Sequence, residues 1–418
     1  MPMLIHVALL AVCPLFMGQA ESSASTLTPL QLNVLDFGAK GDRVTDNTAA
    51  FQQALDKAAE TGAVVSVPPG EFLIKGHLTI PNEVTLEGTW RAPARGFVDF
   101  KGSILLAVEG KGEPEGTPFI SMNRASTLRG LVIHYPEQID DAQPHPYPWT
   151  VRGSGDNCSV IDMTITNPYQ AVDFGTNPCG RHLISKLYTQ ALYRGIWVDK
   201  CFDVGRIENV HIWPFWRISE KLMGFSKEKG IAFIFGKTDW EMVTNSFCIS
   251  YNVGFLFKEF KDGPGNVMIT QSGSDIGPCA VRVETSQTHA GITFSNCQFM
   301  AGIEVLPTNT GPVKFTACGF WPVETTGFQA QLAGTGHTFF EGCHFSDWDM
   351  TSKGVPCIQA DSDGLTVTGC DFMAPGKKQI ALGANVQAAI ITANRLRGGA
   401  SIDNASNADA QIGLNATR

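Results

Sequence analysis

The sequence predicts an all-β chain wound as a right-handed parallel β-helix, a solenoid of roughly ten coils closed at its N-terminal end by an amphipathic helix. Two columns of recurring residues and one capping segment predict it. In the first column, ITFSNCQF, VKFTACGF, TFFEGCHF and LTVTGCDF set Cys297, Cys318, Cys343 and Cys370 at steps of 21, 25 and 27 residues. IITANRL then puts Asn394 at the next such place. Apolar residues alternating at period two mark a short strand, and the Cys segment marks the turn after it. Units this short cannot bury an apolar face alone, so they must stack.

The second column reads small residue, apolar, any, apolar. It returns as AVDF at 171, GIWVD at 195, GIAFI at 230, GFLFK at 254, AVRVE at 280 and GIEVL at 302, at steps of 24, 35, 24, 26 and 22 residues. Two strands per repeat in constant order suit coils about 4.8 Å apart rather than hairpins. The 35-residue step carries an insertion at 213–229, and insertions in solenoids build loops on one face.

The capping segment is NVLDFGAKGDRVTDNTAAFQQALDKAAETGAVVSVPPGEFLIKG, residues 33–76. Ala49, Phe51, Ala54, Leu55, Ala58 and Ala59 form an apolar stripe at helical spacing, with Asp46 or Thr45 as N-cap. Such a helix covers the unpaired strand edges of the first coil. VVSVPPGEFLI reads as the first strands around a Pro-Gly turn. The D-x-G-A-x-G-D-x-x-x-D pattern with its following helix resembles the opening of pectate-lyase-like and polygalacturonase-like β-helix proteins, the rhamnogalacturonase and epimerase-like superfamily. Arg43 stands where a small residue is common there, and Asn47 where a second Asp is common. The resemblance implies the fold and a carbohydrate-active role. It leaves hydrolase, lyase, epimerase and phage tail spike open. Asp36, Asp42 and Asp46 read as loop and capping ligands of backbone amides rather than catalytic groups.

A chain of 418 residues with 43% apolar content has enough apolar residues for a large core. Its net charge of −9 excludes a nucleic-acid binder, which needs a basic face. Residues 1–20 read as a secretory signal, residues 21–32 as a linker, and residues 33–400 as one β-helix domain followed by a polar tail at 401–418. Export makes the location secreted or periplasmic, and no later segment is long and apolar enough for a membrane helix. Ten cysteines remain after the signal. The stacked ones are read as buried free thiols serving as small apolar residues.

Chemistry is expected on outward side chains of aligned strands. One row reads Asp173, Trp197, Ala232, Leu256, Arg282 and Glu304, and the next Gly175, Asp199, Ile234, Lys258 and Glu284. Asp173 and Asp199 on neighbouring coils then form a carboxylate pair at about 5–9 Å, the range for glycosidase acid and nucleophile or base. Asp239 and Glu241 flank Trp240 and add carboxylates at the cleft edge. From Arg181 to Lys229 there are nine Lys and Arg against five Asp and Glu, a surplus suited to an anionic polysaccharide or to a solvated face. Arg194 and Arg206 are the carboxylate-binding candidates, with Asp203, Lys258, Trp197, Trp213, Trp216 and Trp240 as further substrate contacts. WPFW at 213–216 reads either as a sugar-stacking platform or as packing of the insertion. Trp149 near HYPEQ reads as a stacking residue or as part of a packed loop. Neither His182 nor any other histidine shows metal-ligand spacing, so no metal or cofactor is expected, Ca2+ entering only if the chemistry is β-elimination. The expected partner is a polysaccharide, and monomer or homo-oligomer stays open. A hydrolase using paired carboxylates is preferred, ahead of a polysaccharide lyase and a non-catalytic sugar-binding or structural β-helix.

Overall fold

The computed structural model describes residues 31–94, 101–324 and 327–418; the signal segment and most of the linker lie outside them. The described chain is a right-handed parallel β-solenoid of about 15 turns, more than the expected ten. One face is a 13-stranded parallel sheet, and the rest of the wall is a 27-stranded sheet made of two ladders. The ladders merge where the long strands Ser159–Ile165 and Leu183–Thr189 run through both. The undercount arises because coils outside 171–394 have neither repeating signature. The segment expected to be a tail also continues the solenoid: Ile402–Asn404 pairs with Ile380–Leu382, and Asp409–Gly413 pairs with Ala388–Thr392.

The Cys-x-Phe column is the bend between the two ladders. In ITFSNCQF, Ile292–Ser295 is one strand, Asn296 turns the chain at φ 54°, and Gln298–Phe299 starts the second ladder. Left-handed residues repeat at this place, including Asn245, Gln271, Ala317, Gly342, Gly369 and Ala393. Short polar residues and glycine tolerate that region best. The cysteine tucks inward, and all ten described cysteines are buried and free. Cys297, Cys318, Cys343 and Cys370 each donate a weak S–H bond to the carbonyl two residues earlier. Asn394 continues the row, donating to Val367 O at 2.9 Å and accepting from Cys370 N at 2.9 Å. The phenylalanines stack as an interior ladder, with Phe299, Phe320, Phe345 and Phe372 at centroid spacings of 5.3, 4.8 and 4.8 Å. Rungs set 4.7–4.9 Å apart bring rings to stacking distance without adjustment.

Helix α1 (Thr48–Ala58) closes the N-terminal end and buries Phe51, Ala54, Leu55 and Ala58, while Ala49 and Ala59 are exposed. Asp46 accepts from Thr48 N at 3.0 Å and Lys75 N at 3.2 Å, so it serves the helix start from one place before the formal cap. Asp42 accepts from Val44 N, Thr45 N and the Thr45 hydroxyl, and these bonds, led by the Thr45 amide, hold its carboxyl down at about 2. Both acids are therefore architectural. Buried Asn47 uses its amide to donate to the carbonyls of Lys40, Thr45 and Leu73, which no carboxylate could do. The insertion is more than a loop: it contains helix α2 (Glu220–Lys229), capped by the Ser219 hydroxyl. Among the described residues, no helix is long and apolar enough to cross a membrane.

Candidate functional site

The expected carboxylate row is not assembled in the register read from the sequence, and its two acids are buried. Strand register pairs Trp197 with Ile234, not Ala232, and places Gly236 rather than Ile234 beyond Asp199. Stacking of Phe233 on Phe255 and Phe235 on Phe257, at 4.8 and 5.4 Å, fixes that register two places from the sequence reading. Asp173 is fully buried and accepts from Arg152 Nε at 2.5 Å, Gly175 N at 2.9 Å, Thr176 N at 2.8 Å and the Thr176 hydroxyl at 2.7 Å. Three of these bonds serve the turn that follows its strand, and the fourth pairs it with Arg152 on the preceding coil. Asp199 is also buried; burial raises its carboxyl above the usual range, against the Lys237 N–H that it accepts at 2.6 Å. It packs with Phe260 against Gly236, where a Cβ would lie 2.4 Å from Asp199 Oδ1 and 2.6 Å from Phe260.

The other candidates scatter. Glu241 points into the core rather than to a cleft edge, fully buried and 3.0 Å from His182 Nε2. Asp239 is paired with Lys237 at 2.8 Å and accepts from Gln287; burial opposes these bonds, but they hold it below its ordinary range. Asp203 is held by Arg181, whose side chain also lowers its carboxyl. Trp240 is 58% exposed and Arg206 lies on the surface. Only Arg194, Trp197 and Lys258 share a recess, with Ile231, Ile234, Leu256 and Phe260, of about 170 Å³. Its cations are engaged: Arg194 bonds Gln170 at 3.1 Å, and Lys258 lies 3.9 Å from Glu284. Trp149 is buried, as is Tyr135, which hydrogen-bonds Thr150.

The WPFW segment divides between its two readings. Trp216 is 6% exposed and packs with Leu192 and Leu222, fastening the insertion to the solenoid. Trp213 instead lies beside Phe247, ring centroids 6.2 Å apart, at the rim of a groove that sequence reasoning missed.

That groove, about 710 Å³, runs over the second ladder and its bend. Asn245, Gln271 and Asn296, all left-handed turn residues, line one side, while Phe247, Asp275, Gln298, Met300 and Trp321 line the strand side. Gly273 lies in register between Phe247 and Gln298, so one rung has no outward side chain and the surface sinks there. Ser246, Ser272 and Ser274 keep the floor low. Trp213 and Trp321 stand four rungs apart, about 19 Å at 4.8 Å per rung. Trp321 is anchored by its indole N–H to Gln298 Oε1 at 2.8 Å. Between the tryptophans Asp275 carries a buried carboxyl oxygen, Oδ1, with no hydrogen-bond partner. Burial first, and then the negative charge of Glu324, raise its carboxyl above the usual range, against an Ile276 N–H. Glu324 is held by Lys227 of α2 at 2.5 Å. Among the described residues, no Lys or Arg lines the groove. The signal in the sequence was the variable residue of Cys-x-Phe and the residue after Phe: Gln298, Met300 and Trp321 occupy those places.

A carboxyl whose pKa is raised by burial and by the charge of a second carboxylate is the kind of pairing used in glycosidic cleavage. Amide side chains between aromatic plates suit sugar hydroxyls and ring faces. A different cluster joins His182, Cys201 and Glu241, whose ligand-type atoms all lie within 4.8 Å of one another in the core.

Comparison with known proteins agrees with the architecture. Residues 31–175 match the family model described as rhamnogalacturonase A/epimerase, pectate lyase-like, so the resemblance read at residues 33–76 extends as far as residue 175 of 418. The chain is 36% identical over 92 residues to an exopolygalacturonase of Arabidopsis thaliana, covering 19% of this chain and 21% of that protein. It is 35% identical over 85 residues to mannuronan C5-epimerase AlgE5 of Azotobacter vinelandii, covering 20% of this chain and 7% of that one. The matches thus span about a fifth of these relatives' length or less. Among solved structures, the tailspike of E. coli bacteriophage HK620, determined with a pentasaccharide, superimposes with a TM-score of 0.56 at 9% identity, covering 91% of this chain and 80% of that one. At that identity the likeness speaks for the fold alone.

Proposed function

We propose that the protein is a carbohydrate-active enzyme that holds an extended polysaccharide in the groove between Trp213 and Trp321 and cleaves its glycosidic bonds by hydrolysis. The observation that carries this reading is Asp275, a carboxyl with a raised pKa and an unpartnered oxygen at the middle of a groove flanked by aromatic rings. In this reading Asp275 protonates the leaving oxygen and Glu324 is the second carboxylate. The groove walls favour a neutral or amide-bearing glycan, because the described residues lining it include amide and hydroxyl side chains and Asp275 but no Lys or Arg to pair with a uronate. The location consistent with such a substrate is outside the cytoplasm.

The test is product analysis over neutral, N-acetylated, uronic and sulfated polysaccharides. New reducing ends without near-ultraviolet absorbance, lost in Asp275→Asn, are expected with the neutral or amide-bearing members. Unsaturated products would replace the hydrolase reading with β-elimination. Binding without any product would leave a sugar-binding β-helix.

A further inference from the structure

We infer that the interior of the solenoid holds a transition-metal site, best suited to Zn2+, formed by His182, Cys201 and Glu241. His182, Gly205 and Glu241 occupy the same place on three successive coils, each one residue before the in-register trio Leu183, Arg206 and Met242. The middle coil contributes no side chain there. A Cβ on Gly205 would lie 2.0 Å from Glu241 Oε2 and 2.7 Å from His182 Nε2, so glycine holds open the space between the two ligands. Cys201 enters the same space from the turn after Arg194–Val198.

The three side chains are fully buried, and their ligand atoms lie within 4.8 Å of one another. Zinc bonds imidazole and carboxylate at about 2.0–2.2 Å and thiolate at about 2.3 Å, so one ion could be reached by all three side chains after they draw together around it. A second observation points to a ligand: Glu241 Oε2 is buried with no hydrogen-bond partner, while Oε1 meets His182 Nε2 at 3.0 Å. An orphaned carboxylate oxygen in an apolar core is costly. An ion bound through both Glu241 oxygens would satisfy it and reach four protein donors. His182 is already oriented for this role, since Nδ1 bonds Cys179 O at 2.7 Å and leaves Nε2 facing the cluster. Charge balances too, because one thiolate and one carboxylate neutralise a divalent ion. The ligands are 19 and 40 residues apart in sequence, on different coils, and therefore show no motif spacing.

The inference is independent of the groove, and its test needs no activity. Purified full-length protein, stripped with a chelator and titrated with Zn2+, is expected to bind about one equivalent and to melt at a higher temperature when loaded. Co2+ in place of Zn2+ should give the charge-transfer absorption of a cobalt–thiolate bond. Glu241→Gln and Gly205→Ala should each weaken metal binding by at least about 100-fold, beyond the 10–100-fold that outer-shell partners cost. Cys158→Ser, outside the cluster, should keep the cobalt band and controls for general damage. If wild-type protein takes up no zinc and shows no cobalt band, the site does not exist. Undiminished binding in Glu241→Gln would place the metal elsewhere and overturn the assignment.

Discussion

The outer row through Asp173 and the outer row through Asp275 are built alike, each from side chains projecting between stacked strands, yet one is sealed and the other is open. On the 13-stranded sheet Arg152, Asp173, Trp197 and Ile234 follow one another in register and fill every rung. Arg152 neutralises the acid and Trp197 covers the turn, where a Cβ on Gly175 would lie 2.5 Å from the indole. On the second ladder Gly273 leaves one rung empty between Phe247 and Gln298, and the aromatic residues stand to either side. A row of polar residues on a solenoid becomes a site only where small residues interrupt it. Asp173 is sealed by a neighbour one coil away, 21 residues off in sequence, whereas the gap beside Asp275 is Gly273 on its own strand.

The sharpest test of this contrast is a pair of substitutions. Asp275→Asn is expected to lower kcat by about 10²–10⁴-fold while leaving the melting temperature nearly unchanged, as removal of a general acid should. Asp173→Ala should do the reverse: unfolding measured in urea should show a loss of about 3–5 kcal/mol because Arg152 is left without its partner, with turnover per folded molecule intact. Equal loss of activity in both would erase the distinction.

Filling the empty rung asks whether the hollow itself matters. Gly273→Leu should abolish oligosaccharide binding measured by calorimetry and also lower the melting temperature, because a Cβ there would lie 2.7 Å from the Gln298 carbonyl oxygen; retained binding would show that the hollow does not matter. A smaller effect is expected at the groove end, where Trp321→Ala should raise KM by about 2–10-fold, the worth of one ring contact, with kcat almost unchanged. The smallest is a pH effect on stability. Asp275 has a raised pKa in the folded chain, so its contribution is complete below the ordinary carboxylate range and is lost as pH rises through that raised value. Asp275→Asn removes the loss, and the melting temperature of the variant relative to wild type should therefore climb with pH. A constant difference would show that the carboxyl is not perturbed.

Much of the fold was legible because its determinants are local and repeated. Cys297, Cys318, Cys343, Cys370 and Asn394 were placed in one column from spacing alone, and the amphipathic stripe of residues 48–58 marked the cap. The coil count fell short where Gln31–Asn33, Thr127–Arg129 and Asp409–Gly413 form strands without either signature, since short strands accept any residues whose inward positions are apolar. The site was less legible. Trp197 and Lys258, read onto one face, line one recess, whereas Asp173 and Glu241, read as catalytic, lie buried against Arg152 and His182.

The chain by itself determined the repeat, the alternation of inward and outward residues, and the cap, because backbone geometry gives strands a period of two whatever surrounds them. Only the tertiary structure decided which outward acids are free to act, because a carboxyl's role depends on groups that stacking brings from other coils. Asp173 received an arginine from the preceding coil, whereas Asp275 received the charge of Glu324 from a distant segment. The same stacking brought His182, Cys201 and Glu241 together against Gly205, a contact that no spacing in the sequence announces.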